Sequence, residues 1–231
     1  MADGYVLVHG GLHGAWCWDR VIPLLDKPAL AIDLPGRSGD PGELASISYA
    51  EWIASAADDL RSFGPDQVCL VAHSLGGITI TGLARAEPQR VASMVFISSV
   101  IPAAGETAAH AIGGDGYESM FVDGLFTGPP AEILREHLMN GVDDATAQAV
   151  IARVRPEPER PFLEPMRYDG LPPVPTTYVR LSRDKGLPPD QQARMISSLG
   201  ITDVRTIDSC HNVMISEPEL LAALLVTLGA S

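Results

Sequence analysis

The sequence predicts an α/β protein with a mostly parallel six-stranded sheet and helices on both faces. Three observations carry that expectation. Six short runs, residues 5–9, 29–34, 67–72, 91–98, 176–181 and 203–207, are strand-like, and several are apolar nearly throughout, as strands covered on both faces must be. Helical patterns separate them, and strand, helix, strand in repetition means parallel pairing through crossover helices. The 231 residues, 46% hydrophobic and 19% charged, suffice for one sizeable core.

Taken in order, the first strand runs directly into "HGGLHG", a glycine-rich turn at residues 9–14. After the second strand, residues 48–63 place Tyr49, Trp52, Ile53, Ala56, Ala57, Leu60 and Phe63 on one helical face. Ser48 and Glu51 form a capping-box pattern at its start, and Gly64-Pro65 stops it. The third strand passes abruptly into a helix within "LVAHSLGGITITGLA", residues 70–84. Residues 101–172 break the rhythm. They carry Gly113-Gly114, Pro129-Pro130, Pro156, Pro158 and Pro161, with helical pieces near 130–140 and 143–154. A long insertion between core strands reads as a functional lid, so the expected organisation is a core of residues 1–100 and 173–231 with a lid of 101–172. A helix over 189–199 precedes Gly200. The last helix is expected to begin at Ser216, capped with Glu219, and to end near Gly229.

The net charge is −13 with no cluster of Lys and Arg. That argues against a nucleic-acid partner and against an anionic membrane surface. It fits a protein acting on a neutral or apolar small molecule. No apolar run reaches the ~18 residues of a membrane span, and no signal-peptide pattern precedes the strand beginning at Tyr5. Cys17, Cys69 and Cys210 lack metal-type spacing and read as buried reduced thiols. The expected location is cytoplasmic.

The chemistry centres on Ser74. In Ala72-His73-Ser74-Leu75-Gly76 a serine stands on a sharp strand-to-helix turn, flanked by small residues because the backbone is crowded there. Such a turn lifts the hydroxyl above the C-terminal edge of the sheet. The turn after the first strand can supply one backbone N–H to an oxyanion and the residue after the nucleophile the other, which selects Gly11 and Leu75. "GGLHG" does not fit a dinucleotide-binding G-x-G-x-x-G, and only Asp33 stands where an acidic ribose partner would.

A serine hydroxyl needs an imidazole to take its proton. His211, just after the last strand, is the candidate. His73 should point away from Ser74, His9 and His13 read as hydrogen-bonders in the glycine loop, and His110 and His137 lie in the lid. Asp184, beyond the next-to-last strand, is the acid preferred to orient His211, with Asp208 the competitor. The chain order Ser74, Asp184, His211 suits this architecture. No metal is called for, since His-Glu-x-x-His and clustered carboxylates are absent from the sequence, and no cofactor is expected.

Together these pieces resemble the α/β-hydrolase superfamily, and within it the plant methyl-ester esterase and hydroxynitrile lyase branch that includes salicylate-binding-protein-like esterases. "VLVHGGLHGAWCW", "VAHSLGG", "SRDKGLPPDQQ" and "HNVMISEPELL" resemble the signatures of that branch, and "VRPEPERPF" resembles the stretch closing its lid. The resemblance implies the α/β-hydrolase fold with a small helical lid after the fourth strand. It also implies Ser74 as nucleophile, His211 as base, Asp184 as orienting acid, and Gly11 and Leu75 as oxyanion donors. The branch's lyases have a threonine after the first histidine of the oxyanion loop and a lysine after the catalytic histidine. Gly10 and Asn212 stand there instead, which favours hydrolysis.

The expected function is hydrolysis of a small, fairly apolar carboxylic ester, of methyl-ester or lactone type, through an acyl-enzyme on Ser74. Trp16, Met120, Phe121, Leu125, Phe126 and Met139 are candidates for an apolar pocket. The alternatives are a non-catalytic small-molecule receptor, and a thioester or lactone hydrolase of natural-product synthesis that docks a carrier through Arg153, Arg155, Arg160 and Arg167. The expected oligomeric state is monomer or homodimer.

Overall fold

The computed structural model describes residues 1–36, 41–167 and 170–230. In chain order the elements are β1 (Gly4–Val8), β2 (Ala29–Ile32), α1 (Pro41–Leu44), α2 (Tyr49–Ser62), β3 (Val68–His73), α3 (Gly76–Ala86) and β4 (Val91–Ile97). The insertion then holds α4 (Ala108–Gly113), β5 (Leu125–Phe126), α5 (Ala131–Leu138), α6 (Asp144–Ile151), β6 (Glu157–Pro158) and α7 (Arg160–Leu163). The chain returns through β7 (Thr176–Leu181), α8 (Pro189–Ser198), β8 (Asp203–Ile207), α9 (Val213–Ser216) and α10 (Pro218–Gly229). Short 3-10 turns link several of these.

Six strands form one sheet in the order β2-β1-β3-β4-β7-β8, every neighbouring pair parallel. The six strands expected from sequence are therefore the six of the sheet. Alternation along each strand splits the core in two. Val6, Val8, Leu70, Ala72, Met94, Phe96 and Tyr178 face one side, with α2, α3 and α8. Tyr5, Leu7, Cys69, Val71, Val95, Ile97 and Val179 face the other, with α9 and α10. This is why β1 and β3 are buried at every position while the edge strand β8 is not.

The chain leaves β1 in one direction to reach β2, then returns to β3 on the opposite side of β1. The loops after β1 and β3 therefore part over a crevice at the carboxyl ends of the strands, the place where open α/β sheets bind ligands.

The capping box at Ser48 and Glu51 is formed. The one anticipated at Ser216 and Glu219 is not. Pro218 starts α10, while Ser216 ends the short α9 and spends its hydroxyl on Ser209 Oγ at 2.7 Å. Cys17, Cys69 and Cys210 are free and buried, and burial lifts the Cys69 thiol to about 11. Among the described residues no helix is long and apolar enough to cross a membrane, and no group of metal-ligating side chains occurs.

Candidate active site

Ser74 sits between β3 and α3 with φ +50°, a region non-glycine residues seldom adopt. The turn is fixed by Ser74 N–H donating to Ile97 C=O (3.1 Å) and by Ser74 C=O accepting from Val100 N–H (2.8 Å). The small neighbours have separate reasons. A Cβ at Gly76 would stand 2.6 Å from His9 O and 2.9 Å from Val8 O, because α3 begins against β1. Ala72 fits its methyl into the core, so alanine serves where the common pattern has glycine.

β7 and β8 end side by side, which brings Asp184 and His211 together. His211 Nδ1 lies 2.6 Å from Asp184 Oδ2, and both residues are buried. The aspartate is immobilised from every side. Ser98 Oγ donates to Oδ2 (2.6 Å), and the N–H groups of Gly186 (2.7 Å) and Leu187 (2.8 Å) donate to Oδ1. The last two bonds are the local turn that an aspartate favours by capping backbone two and three residues on. Asp208 is exposed and turned to Ser182 Oγ (2.5 Å) and Arg183 Nε (3.1 Å). That hydroxyl, with the guanidinium beside it, holds the Asp208 carboxyl below its ordinary range.

His211, Ser74, Gly11 and Leu75 border one cavity of about 280 Å³. No hydrogen bond joins Ser74 to His211 among the described contacts; such bonds commonly close only around substrate. The remaining wall is mostly apolar, with Val100, Tyr117, Leu134, Phe162 and Leu187 beside His13 and His137, and among the described residues no Lys, Arg, Asp or Glu lines it. Burial pushes the Tyr117 phenol up to about 12, so that group stays neutral.

Of the anticipated pocket residues, Met120 and Phe126 line the cavity. Trp16, Phe121, Leu125 and Met139 do not. Trp16 stacks on His13 (5.3 Å between ring centroids) beneath Arg153. Phe121 packs behind the wall against Phe126 and Phe162. Leu125 neighbours Phe126 in β5, where successive side chains point to opposite faces. Met139 follows α5, whose Ile133, Leu134, His137 and Leu138 face the cavity; it turns the other way, into the core with Ala147 and Val150.

Several residues that hold the site were not evident from sequence. Ser98 has φ +39° and steadies Asp184, but nothing distinguishes it from any serine closing a strand. Asn212 Nδ2 lies 3.1 Å from His13 Nε2, while His13 Nδ1 lies 2.8 Å from Gly11 C=O. The amide nitrogen is a donor, so Nε2 accepts and Nδ1 carries the proton to Gly11. Asn212 thus ties the loop bearing His211 to the glycine loop. His73 is buried against the site, with Nε2 2.9 Å from His211 C=O and the two rings 4.5 Å apart.

Burial first, then the nearby His211 and His13, drive the His73 pKa well below its ordinary value. A histidine kept neutral in the fold but free to charge at about 6.5 once unfolded draws protons to the unfolded state. Its contribution to stability is therefore present above pH ~6.5 and lost as pH falls below it, at up to about 1.4 kcal/mol per pH unit for one group. Urea denaturation between pH 5 and 8 checks this, with a flatter profile expected in His73→Gln.

A model described as the alpha/beta hydrolase family matches residues 5–224. The chain belongs to that family. Among similar members, methylesterase 9 of Arabidopsis thaliana is 28% identical over 97% of each chain. Salicylic acid-binding protein 2 of Nicotiana tabacum is 24% identical over 97% of this chain and 96% of that one. An extracellular α/β-hydrolase from a Paenibacillus species superposes with a TM-score of 0.88 at 22% identity, over 99% of both chains. Within this α/β hydrolase the glycine loop follows β1, the turn bearing Ser74 follows β3, and Asp184 and His211 follow β7 and β8.

Proposed function

We propose that this α/β hydrolase cleaves small, fairly apolar carboxylic esters, of methyl-ester or lactone type, through an acyl-enzyme on Ser74. Ser74 Oγ attacks the acyl carbon while His211 Nε2 takes its proton. Asp184 holds the imidazole in the tautomer with Nδ1 protonated and stabilises its charged form. The N–H groups of Gly11 and Leu75 receive the oxyanion, losing one of which typically costs ~10²–10³ in rate. His211 then protonates the leaving alcohol, and water releases the acid by the reverse route. The observation that carries this reading is a single apolar cavity bordered by Ser74, by an aspartate-bound imidazole, and by Gly11 and Leu75.

The relatives named as a methylesterase and a salicylic acid-binding protein support the ester class. The cavity wall, free of Lys, Arg, Asp and Glu among the described residues, suits a neutral acyl group. Residues 101–172 serve as a lid on a core of 1–100 and 173–231, because their α5, β5 and α7 carry much of that wall. Cyanohydrin cleavage is disfavoured. Asn212 is spent on His13 rather than offering a cation, and a Cβ at Gly10 would stand 2.8 Å from the Ser74 Cβ. A carrier-docking patch is disfavoured too. Arg153 lies over Trp16, Arg155 bonds the Ala152 and Val154 carbonyls, and Arg160 pairs with Glu164, so three of the four are committed within the chain.

A fluorophosphonate probe followed by peptide mapping tests the reading. Modification at Ser74, with turnover of p-nitrophenyl acetate, is expected. Tight ligand binding without labelling or turnover makes the protein a receptor, and cyanide release from mandelonitrile makes it a lyase.

A further inference from the structure

The loop after β1 leaves the amides of Gly10 and Gly11 unspent among the described residues. Gly10 C=O accepts from His13 N–H (3.3 Å) and lies 2.8 Å from His9 Nδ1. Gly11 C=O is bonded by His13 Nδ1. Leu12 C=O accepts from Arg155 N–H (3.0 Å), and Leu12 N–H donates to Glu157 Oε1 (2.5 Å). The N–H groups of Gly10 and Gly11 have no protein partner in this run among the described residues, and of the two it is Gly11 that borders the cavity.

Leu12 is also where the loop is strained, at φ +65°, a conformation that branched residues seldom adopt unless their surroundings impose it. Both polar atoms of its backbone are gripped by the insertion, through Arg155 and Glu157. Glu157 is wholly buried and fixed in direction by β6, where it pairs with Phe126. Burying a carboxylate is costly unless it is hydrogen-bonded, so its placement against the Leu12 amide is specific.

We propose that Glu157 is a positioning residue for the oxyanion loop. Its carboxylate holds the peptide between Gly11 and Leu12, and so keeps Gly11 N–H turned to the place where negative charge develops. The insertion thereby completes the reaction centre as well as covering it. This inference rests on the hydrolase reading above.

Glu157→Met keeps the bulk and removes the acceptor, whereas Glu157→Gln keeps a neutral acceptor. With p-nitrophenyl acetate, Glu157→Met is expected to lower kcat roughly 10- to 100-fold, somewhat less than outright loss of an oxyanion donor, with KM within about twofold. Affinity for a trifluoromethyl ketone, which forms a tetrahedral adduct on the serine, falls in step with kcat/KM, while affinity for the product acid does not move. Glu157→Gln recovers most of the lost kcat. A variant that merely loosens the fold would lower the melting temperature without separating these affinities.

Amide hydrogen exchange of the unmodified protein gives an answer even where a variant does not fold. Slow exchange at Leu12 is expected. Fast exchange there, or unchanged kcat and ketone affinity in Glu157→Met, overturns the proposal. Absence of any turnover or Ser74 labelling in the unmodified protein instead overturns the hydrolase reading, and the proposal with it.

Discussion

Replacing Ser74 with alanine lowers kcat for p-nitrophenyl acetate by roughly 10⁴- to 10⁶-fold and abolishes fluorophosphonate labelling, with the fold unchanged. The size follows from the division of labour at the site. The imidazole, its aspartate and the two amides all act on an acyl carbon joined to Ser74 Oγ, so without that oxygen their contributions have no shared reaction to accelerate. The stability expectation follows from the turn. Its strained φ is held by the bonds to Ile97 and Val100, both made by backbone atoms that alanine keeps. Kinetics beside a thermal melt check both halves. Turnover within tenfold of the parent would place the nucleophile elsewhere.

The second large effect is at Asp184. Asp184→Asn is expected to lower kcat by roughly 10⁴-fold, the scale set by an imidazole held in the wrong tautomer. The carboxylate accepts four hydrogen bonds, from His211 and Ser98 at Oδ2 and from Gly186 and Leu187 at Oδ1. An asparagine has one acceptor oxygen. If that oxygen faces the two backbone amides, the asparagine NH₂ meets His211 Nδ1 and forces the imidazole proton onto Nε2, which then can no longer accept the proton of serine. Asp208→Asn, an exposed change, is expected to leave kcat within about twofold. A reversed pair of results would exchange the two acids. Steady-state kinetics of both variants above pH 7 decide it.

The legible parts of this protein were those whose cause is local. Apolar runs over 5–9 and 67–72 gave β1 and β3, because a strand buried on both faces needs such a run. Ser48 with Glu51 gave the start of α2, because a capping box lies within four residues. The same pattern failed at Ser216, where a distant hydroxyl, Ser209 Oγ, claimed the serine and Pro218 started the helix by itself. Four of the six anticipated wall residues were misplaced for the same reason. Whether Phe126 or Leu125, Leu138 or Met139, faces the cavity depends on how β5 and α5 are rotated against the core. Composition says only that all four are apolar.

The sequence by itself determined the sheet, the small residues around Ser74 and the order of serine, acid and histidine along the chain. Each of these is written in spacing and side-chain size over a few neighbouring positions. Only the tertiary structure decided that Asp184 rather than Asp208 meets His211, that Asn212 reaches His13, and that Glu157 reaches Leu12. Those contacts join residues 27, 199 and 145 positions apart. They form because parallel strands end at a common edge, and because the insertion that follows β4 folds back over it, which no local pattern encodes.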